Sequence, residues 1–214
     1  MTSENIAEVN KETGPLLEET RDDTGARLGM WLFLLSEILL FGGLFILYSA
    51  YRYKNPTEFH LAAGELDPVL GTVNTLILLT SSLTMAVSIS AIQKGNRKLS
   101  TILLMVTIFF GLLFLFIKGM EWGTKIHHGI YPNSPILLGR TKGEILFFGL
   151  YYVMTGLHGL HVLVGAGVLA VMLGLLFRDK INKAHFVPLE NSGLYWHLVD
   201  IIWIFLFPLF YLIP

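Results

Sequence analysis

The sequence contains no cysteine among its 214 residues, which excludes disulfide bonds, thiolate metal sites and cysteine nucleophiles. Charge is also scarce, because only 14% of the residues are Asp, Glu, Lys or Arg, against about a quarter in soluble domains. The formal net charge of −1 gives no indication of binding to nucleic acid. Hydrophobic residues make up 53% of the chain, and a soluble protein of this size cannot bury that much apolar surface. We therefore expect lipid to surround most of the chain.

Long apolar stretches determine the predicted fold. They lie at residues 28–51, 70–92, 99–117, 145–177 and 194–213. A helix that crosses a membrane needs about 20 mostly apolar residues, so each stretch is long enough. None alternates in polarity as the strands of a membrane barrel do. The sequence therefore predicts an all-α, polytopic membrane bundle of five transmembrane helices.

The first 26 residues differ from the rest because they are acidic. They lack the basic start and apolar core of a signal peptide, and we expect a mobile, solvated cytoplasmic tail. Residues 27–214 then form one transmembrane domain. With five helices, nine Lys and Arg residues fall on the side of the N-terminus and six on the other. This excess predicts a cytoplasmic N-terminus and a C-terminus on the opposite, periplasmic face.

Ionisable side chains inside the apolar stretches are candidate functional residues, because charge is costly in a membrane. Glu37 lies about 14 Å into the first helix at 1.5 Å per residue, with no basic residue nearby in sequence. It is either a protonatable group that contacts lipid or a partner, or a neutral carboxyl group hydrogen-bonded between helices. Glu121 and Trp122 follow the third stretch and are interpreted as residues at its membrane boundary.

Two histidines in the fourth stretch, His158 and His161, are three residues apart and share a helix face. Such a pair can bind a metal, but a complete site needs three or four ligands. The Glu-x-x-His motif of di-metal bundles is missing. We therefore expect structural hydrogen bonds here and no metal or haem.

The last stretch opens with His197 and Asp200 at positions i and i+3, close enough for the carboxylate to orient the imidazole. Glu190 precedes them and is a candidate third member. The group is either a proton-handling surface near the cytoplasmic edge or an interfacial cluster. In the second case, aromatic residues anchor the helix at headgroup depth. The predicted interface anchors of the chain are Trp122, Tyr195, Trp196 and Trp203.

No nucleophile-base set, phosphate-binding glycine loop or cofactor motif is present in the sequence. The residues alone therefore leave an accessory subunit, a small transporter and an intramembrane enzyme open. A stand-alone proton-coupled transporter would use Glu37, His158 and His197. Transporters typically show internal repeats and broken helices, and neither is clear here.

Four segments nevertheless resemble, in order, subunit III of the haem-copper respiratory oxidases. They are "RLGMWLFLLSEILLFGGLF", "KGMEW", "TGLHGLHVLVG" and "YWHLVDIIWIFLF". The similarity covers roughly residues 27–213. Relatives in this family also serve quinol oxidases and, as accessory proteins, nitric oxide reductases. The Ser36-Glu37 pair and the "YWHLVD" segment favour the cytochrome c oxidase branch.

The resemblance implies a subunit of the bacterial plasma (inner) membrane, without haem or copper, packed beside subunit I. Subunit II and small subunits are further partners, haem and copper belong to the partners, and cytochrome c is the electron donor. Such a subunit binds phospholipid, protects subunit I during turnover and supports proton uptake. Glu37 matches the family's carbodiimide-reactive glutamate and Glu121 a second family glutamate. Structural or lipid-related roles are implied for His158, His161, His197 and Asp200. The long form of the family has seven helices and a lipid-filled cleft, which five helices would not reproduce.

Overall fold

The computed structural model describes residues 3–183 and 185–212, with side chains described from residue 23 onward. This part of the chain contains α-helices and one π-helical turn, and no strand. The elements are α1 (Ser3–Lys54), α2 (Pro56–Ala63), α3 (Pro68–Gln93), α4 (Arg97–His127), α5 (Pro135–Leu138), α6 (Lys142–Phe177), α7 (Val187–Phe207) and the π-helical turn (Pro208–Leu212). The predicted all-α class is confirmed.

Five helical segments are long and apolar enough to cross a membrane. They are Asp23–Lys54, Pro68–Gln93, Arg97–His127, Lys142–Phe177 and Val187–Leu212. The five predicted transmembrane helices are therefore confirmed, with different ends. The third runs well beyond the predicted end at residue 117, because charged residues in its last turns are buried against neighbouring helices.

The acidic N-terminal segment continues into the first membrane helix, since α1 begins at Ser3. The predicted boundary between a tail and a domain at residue 26 does not coincide with a break in this helix. Residues 1 and 2 lie outside the described part of the chain. A mobile cytoplasmic tail and the predicted orientation in the membrane stay predictions.

Side-chain caps fix where the membrane helices begin. Asp67 accepts hydrogen bonds from the backbone N–H groups of Val69 at 2.9 Å and Leu70 at 3.3 Å, and Pro68 occupies the first helical position. Asn96 caps α4, and Thr141 forms a capping box with Glu144 at the start of α6. These caps define where α3, α4 and α6 begin.

The bundle has a central and a peripheral helix. α7 packs against α3, α6 and α1, whereas α1 packs mainly against α6 and α7. In the apolar segment of the last membrane helix, 56% of the residues are buried inside the chain. In the apolar segment of α1, only 11% are buried. The last helix therefore forms the centre of the bundle, and α1 lies at its edge.

Two tryptophans of α7, Trp196 and Trp203, are each only 1% exposed. Gly111 and Gly165 make room for Trp196: a Cβ atom on Gly111 would lie 2.5 Å from its ring, and one on Gly165 would lie 3.0 Å away. The prediction that these two tryptophans anchor the membrane interface is wrong. Both fill the core, and glycines on α4 and α6 accept the ring of Trp196.

Candidate functional site

A carboxylate–imidazole pair joins α1 to α6 inside the membrane-spanning region. Oε2 of Glu37 lies 2.9 Å from Nε2 of His161, and both side chains are largely buried, 13% and 14% exposed. The ring of Phe41 packs edge-on against the imidazole at 5.4 Å. The partner of Glu37 is thus His161, which lies 124 positions further along the chain.

The second ring nitrogen determines how protons are shared in this pair. Nδ1 of His161 lies 2.7 Å from the carbonyl oxygen of Leu157, and a carbonyl can only accept, so Nδ1 carries a proton. One further proton must then lie between Nε2 and Glu37. The pair is either a carboxylic acid with a neutral imidazole or a carboxylate with an imidazolium. Both forms are neutral overall and satisfy the hydrogen bond.

The neighbouring His158 occupies a different environment and does not join His161. It is fully buried, stacked on Trp203 at 5.1 Å and edge-on to Phe114 at 5.5 Å. Neither of its ring nitrogens has a hydrogen-bond partner among the described residues. The expectation that this histidine makes structural hydrogen bonds is therefore not met, and its contacts are with aromatic rings. Among residues 3–183 and 185–212, no group of three or more His, Cys, Asp or Glu could hold a metal ion.

A second buried polar network lies between α4, α6 and the C-terminal turn. Nζ of Lys118 is 3.0 Å from Oε2 of Glu121, and the two residues are 6% and 7% exposed. The hydroxyl groups of Tyr151 and Tyr211 donate to Oε1 of Glu121 at 2.7 Å and 2.5 Å. Lys118 also donates to both tyrosine oxygens.

This network satisfies a buried charge pair completely, because all three N–H groups of Lys118 have acceptors and Glu121 accepts from three donors. Glu121 is thus buried within this network, and its predicted place at the membrane boundary stays a prediction. Sequence reasoning missed Lys118, Tyr151 and Tyr211. The available signal was Lys118, a charged residue within an otherwise apolar helix and three positions before a glutamate.

His197 and Asp200 make no direct hydrogen bond to each other among the described residues. Nδ1 of His197 is 2.7 Å from the hydroxyl of Ser82 on α3, so the serine orients this imidazole. Asp200 is buried and makes no hydrogen bond to His197. Glu190 forms an ion pair of 2.8 Å with Arg27 on α1, so it does not join a cluster with them. The carboxylate therefore does not orient this imidazole through a direct hydrogen bond on α7.

The predicted aromatic anchors mostly act as hydrogen-bond donors between helices. The hydroxyl of Tyr195 donates to the carbonyl oxygen of His161 at 3.0 Å, and the indole N–H of Trp196 donates to Ser81 at 3.0 Å. Trp203 donates to Thr75 at 3.0 Å. Trp122 is half-buried, with its ring 5.0 Å from that of Tyr152.

A polar pocket of about 550 Å³ reaches Glu121 from the loops between the helices. Its lining residues are Glu65, Asp67, Leu70, Glu121, Thr124, Lys125, His128, Ile130 and Arg140. At its rim the Glu65 carboxylate accepts a hydrogen bond from Arg140, which raises the pKa of that guanidinium above its usual value. The buried network therefore has one carboxylate next to a polar, water-accessible space.

Comparison with known proteins gives one consistent result. The family model described as cytochrome c oxidase subunit III matches residues 17–213. "Cytochrome c oxidase subunit 3" of Allomyces macrogynus is 33% identical over 193 residues, which are 86% of this chain and 64% of that protein. The protein of the same name from Thermostichus vulcanus is 33% identical over 191 residues, 87% of this chain and 86% of its own length.

A further relative is a fused protein, "Heme-copper oxidase subunit I+III" of Aeropyrum pernix. It is 31% identical over 193 residues, which cover 87% of this chain and 22% of the fusion. This chain thus spans about two thirds of the Allomyces relative and a small part of the fusion.

Proposed function

Because the chain belongs to the cytochrome c oxidase subunit III family, we propose that it is subunit III of a bacterial cytochrome c oxidase. The complex takes electrons from cytochrome c, reduces oxygen to water and pumps protons across the plasma membrane. In this proposal the chain itself holds no redox centre; haem and copper belong to the partner subunits. Its N-terminus lies in the cytoplasm and its C-terminus in the periplasm.

The Glu37–His161 pair is the observation that carries the accessory role. A neutral pair that holds one shared proton stabilises the α1–α6 contact and avoids the cost of an isolated charge in the membrane. The same pair can exchange a proton when a partner or water reaches it. A subunit with this chemistry supports proton uptake by its neighbour without performing a redox step itself.

Subunit I is the main partner in this proposal. The name of the Aeropyrum protein places subunits I and III in one polypeptide, which supports a direct contact between them. α1 has an apolar, largely unburied surface within this chain, so it is available for lipid or for a neighbouring subunit. Subunit II and small subunits would complete the complex.

A phospholipid acyl chain fits the groove between α1, α6 and α7. This groove of about 250 Å³ is almost wholly apolar, with Phe33, Val164 and Val168 among its lining residues. Arg27 precedes the lining residue Met30 by about one helical turn, and it is half-exposed beside Glu190, so its guanidinium can also meet a phosphate headgroup. The lipid would fill a gap that protein packing leaves open.

The working lifetime of the oxidase tests the accessory role. We expect a complex that lacks this chain to begin turnover at nearly the normal rate and to inactivate sooner during continuous oxygen consumption. Full-length chain should restore the lifetime, and Glu37→Ala should restore it only in part. Ser36→Ala, a change at an exposed neighbour, is the matched control and should behave like wild type. A complex without the chain that never reduces oxygen, or that lasts as long as wild type, would contradict the proposal.

A further inference from the structure

A chain of redox-active aromatic rings runs between α4, α6 and the C-terminal π-helical turn. The ring of Trp122 lies 5.0 Å from that of Tyr152, and Tyr152 lies 5.3 Å from Tyr151. The hydroxyl oxygens of Tyr151 and Tyr211 are 3.5 Å apart, and Tyr211 lies 6.4 Å from Trp203. Trp and Tyr are the side chains that lose an electron most readily among the ring types present. Separations this short allow an electron to hop from ring to ring.

Two members of the chain have a base in hydrogen-bond contact. A tyrosine that loses an electron becomes strongly acidic, so its oxidation needs an acceptor for the hydroxyl proton. Oxygen Oε1 of Glu121 accepts from Tyr211 at 2.5 Å and from Tyr151 at 2.7 Å. The hydroxyl of Tyr152 donates instead to the carbonyl of Ile130 at 2.7 Å, which is a much weaker base. The geometry therefore favours Tyr151 and Tyr211 as the end points of oxidation.

Two cavities border these rings: one gives an oxidant access to Trp122, and the other gives the tyrosine proton a way out to water. Trp122 is half-buried and lines a cavity of about 220 Å³ between α4 and α6, together with Gly119 and Gly156. Glu121 lines the polar pocket at the other side of the network. A proton received by Glu121 can thus leave to water and return the buried group to its paired state with Lys118.

We propose that Trp122, Tyr152, Tyr151 and Tyr211 form a relay that removes oxidising radicals from the surrounding membrane. The oxidant is a lipid peroxyl radical, the species that oxygen forms in oxidised lipid. It takes one electron through Trp122 and becomes a hydroperoxide anion; water protonates this anion to the hydroperoxide and is left as hydroxide. Tyr151 or Tyr211 supplies that electron, and its hydroxyl proton passes to Oε1 of Glu121, which releases it to water and so neutralises the hydroxide. A neutral tyrosyl radical remains, and a membrane quinol restores the tyrosine by giving back one electron and one proton. The quinol becomes a semiquinone, and two semiquinones disproportionate to quinol and quinone.

The test uses the full chain in lipid nanodiscs with a lipid-soluble azo initiator, which releases peroxyl radicals in air. Samples are frozen during the reaction and read by electron paramagnetic resonance, and ring-deuterated tyrosine identifies a tyrosyl signal. We expect such a signal in wild type and loss of most of it in Tyr151→Phe/Tyr211→Phe. Tyr53→Phe, at an exposed tyrosine outside the relay, is the matched control and should leave the signal unchanged.

Glu121→Gln tests the base separately and keeps a side chain of nearly the same shape. We expect less tyrosyl radical and more tryptophan radical in this variant. Deuterated water should slow formation of the tyrosyl radical in wild type and lose that effect in Glu121→Gln. Circular dichroism verifies that each variant keeps its helices. A signal unchanged in the double variant, or reduced equally by Tyr53→Phe, would overturn the proposal.

Discussion

Removal of Lys118 should cost far more stability than removal of an exposed cation. In Lys118→Met the carboxylate of Glu121 stays buried, and among the described residues two tyrosine hydroxyl groups remain as its donors. Loss of one partner from a buried, hydrogen-bonded ion pair costs about 3–5 kcal/mol. Arg27→Met is the control, because Arg27 and Glu190 are 49% and 31% exposed and such a pair contributes about 0–1 kcal/mol.

The double variant Lys118→Met/Glu121→Gln shows whether the cost comes from the uncompensated charge. It removes the cation and the anion together, so we expect it to be more stable than Lys118→Met alone, with a coupling free energy of roughly 1–3 kcal/mol. The assay is the unfolding free energy of the full chain in bicelles, measured by steric trapping. Equal losses for Lys118→Met and Arg27→Met, or strictly additive losses in the double variant, would refute the reasoning.

Three further predictions concern other contacts. Glu37→Ala leaves Nε2 of His161 without its partner and should cost about 1–3 kcal/mol of unfolding free energy. Glu37→Gln can still donate to that nitrogen and should cost less. Thermal unfolding would show whether the alanine variant is the less stable of the two. Gly111→Ala places a Cβ atom 2.5 Å from Trp196 and should cost about 1–3 kcal/mol in the same assay, while Gly119→Ala meets nothing within 4 Å and should be neutral. Ser82→Ala removes the hydroxyl 2.7 Å from His197 and should cost about 0.5–1.5 kcal/mol in thermal unfolding.

The helices themselves were predictable because a hydropathy pattern is local. Each apolar stretch is long enough to cross a membrane whatever its neighbours are. Their ends were less predictable where charges lie inside a helix. The apolar stretch of the third helix ends before Lys118, yet Lys118 and Glu121 neutralise each other and bond to tyrosines that are distant in sequence, so the helix continues.

Pairings within the site were mostly not predictable, because they join residues that are far apart in sequence. Glu37 could be identified as a residue that needs a partner, but His161 is 124 positions away. His197 and Asp200 are neighbours on one helix, which favoured a local pair, yet a serine on α3 holds the imidazole. Trp196 is buried because glycines in two other helices leave room for its ring. The general preference of tryptophan for membrane interfaces therefore did not predict its position.

Purification of the tagged chain from native membranes tests the central claim most directly. We expect subunits I and II to co-purify in fixed ratio, with haem absorbance and copper in the complex. The separated chain should show neither haem absorbance nor copper, while the remaining subunits keep both. A stoichiometric haem spectrum in the isolated chain, or a chain that purifies from native membranes without any haem-copper partner, would contradict the account.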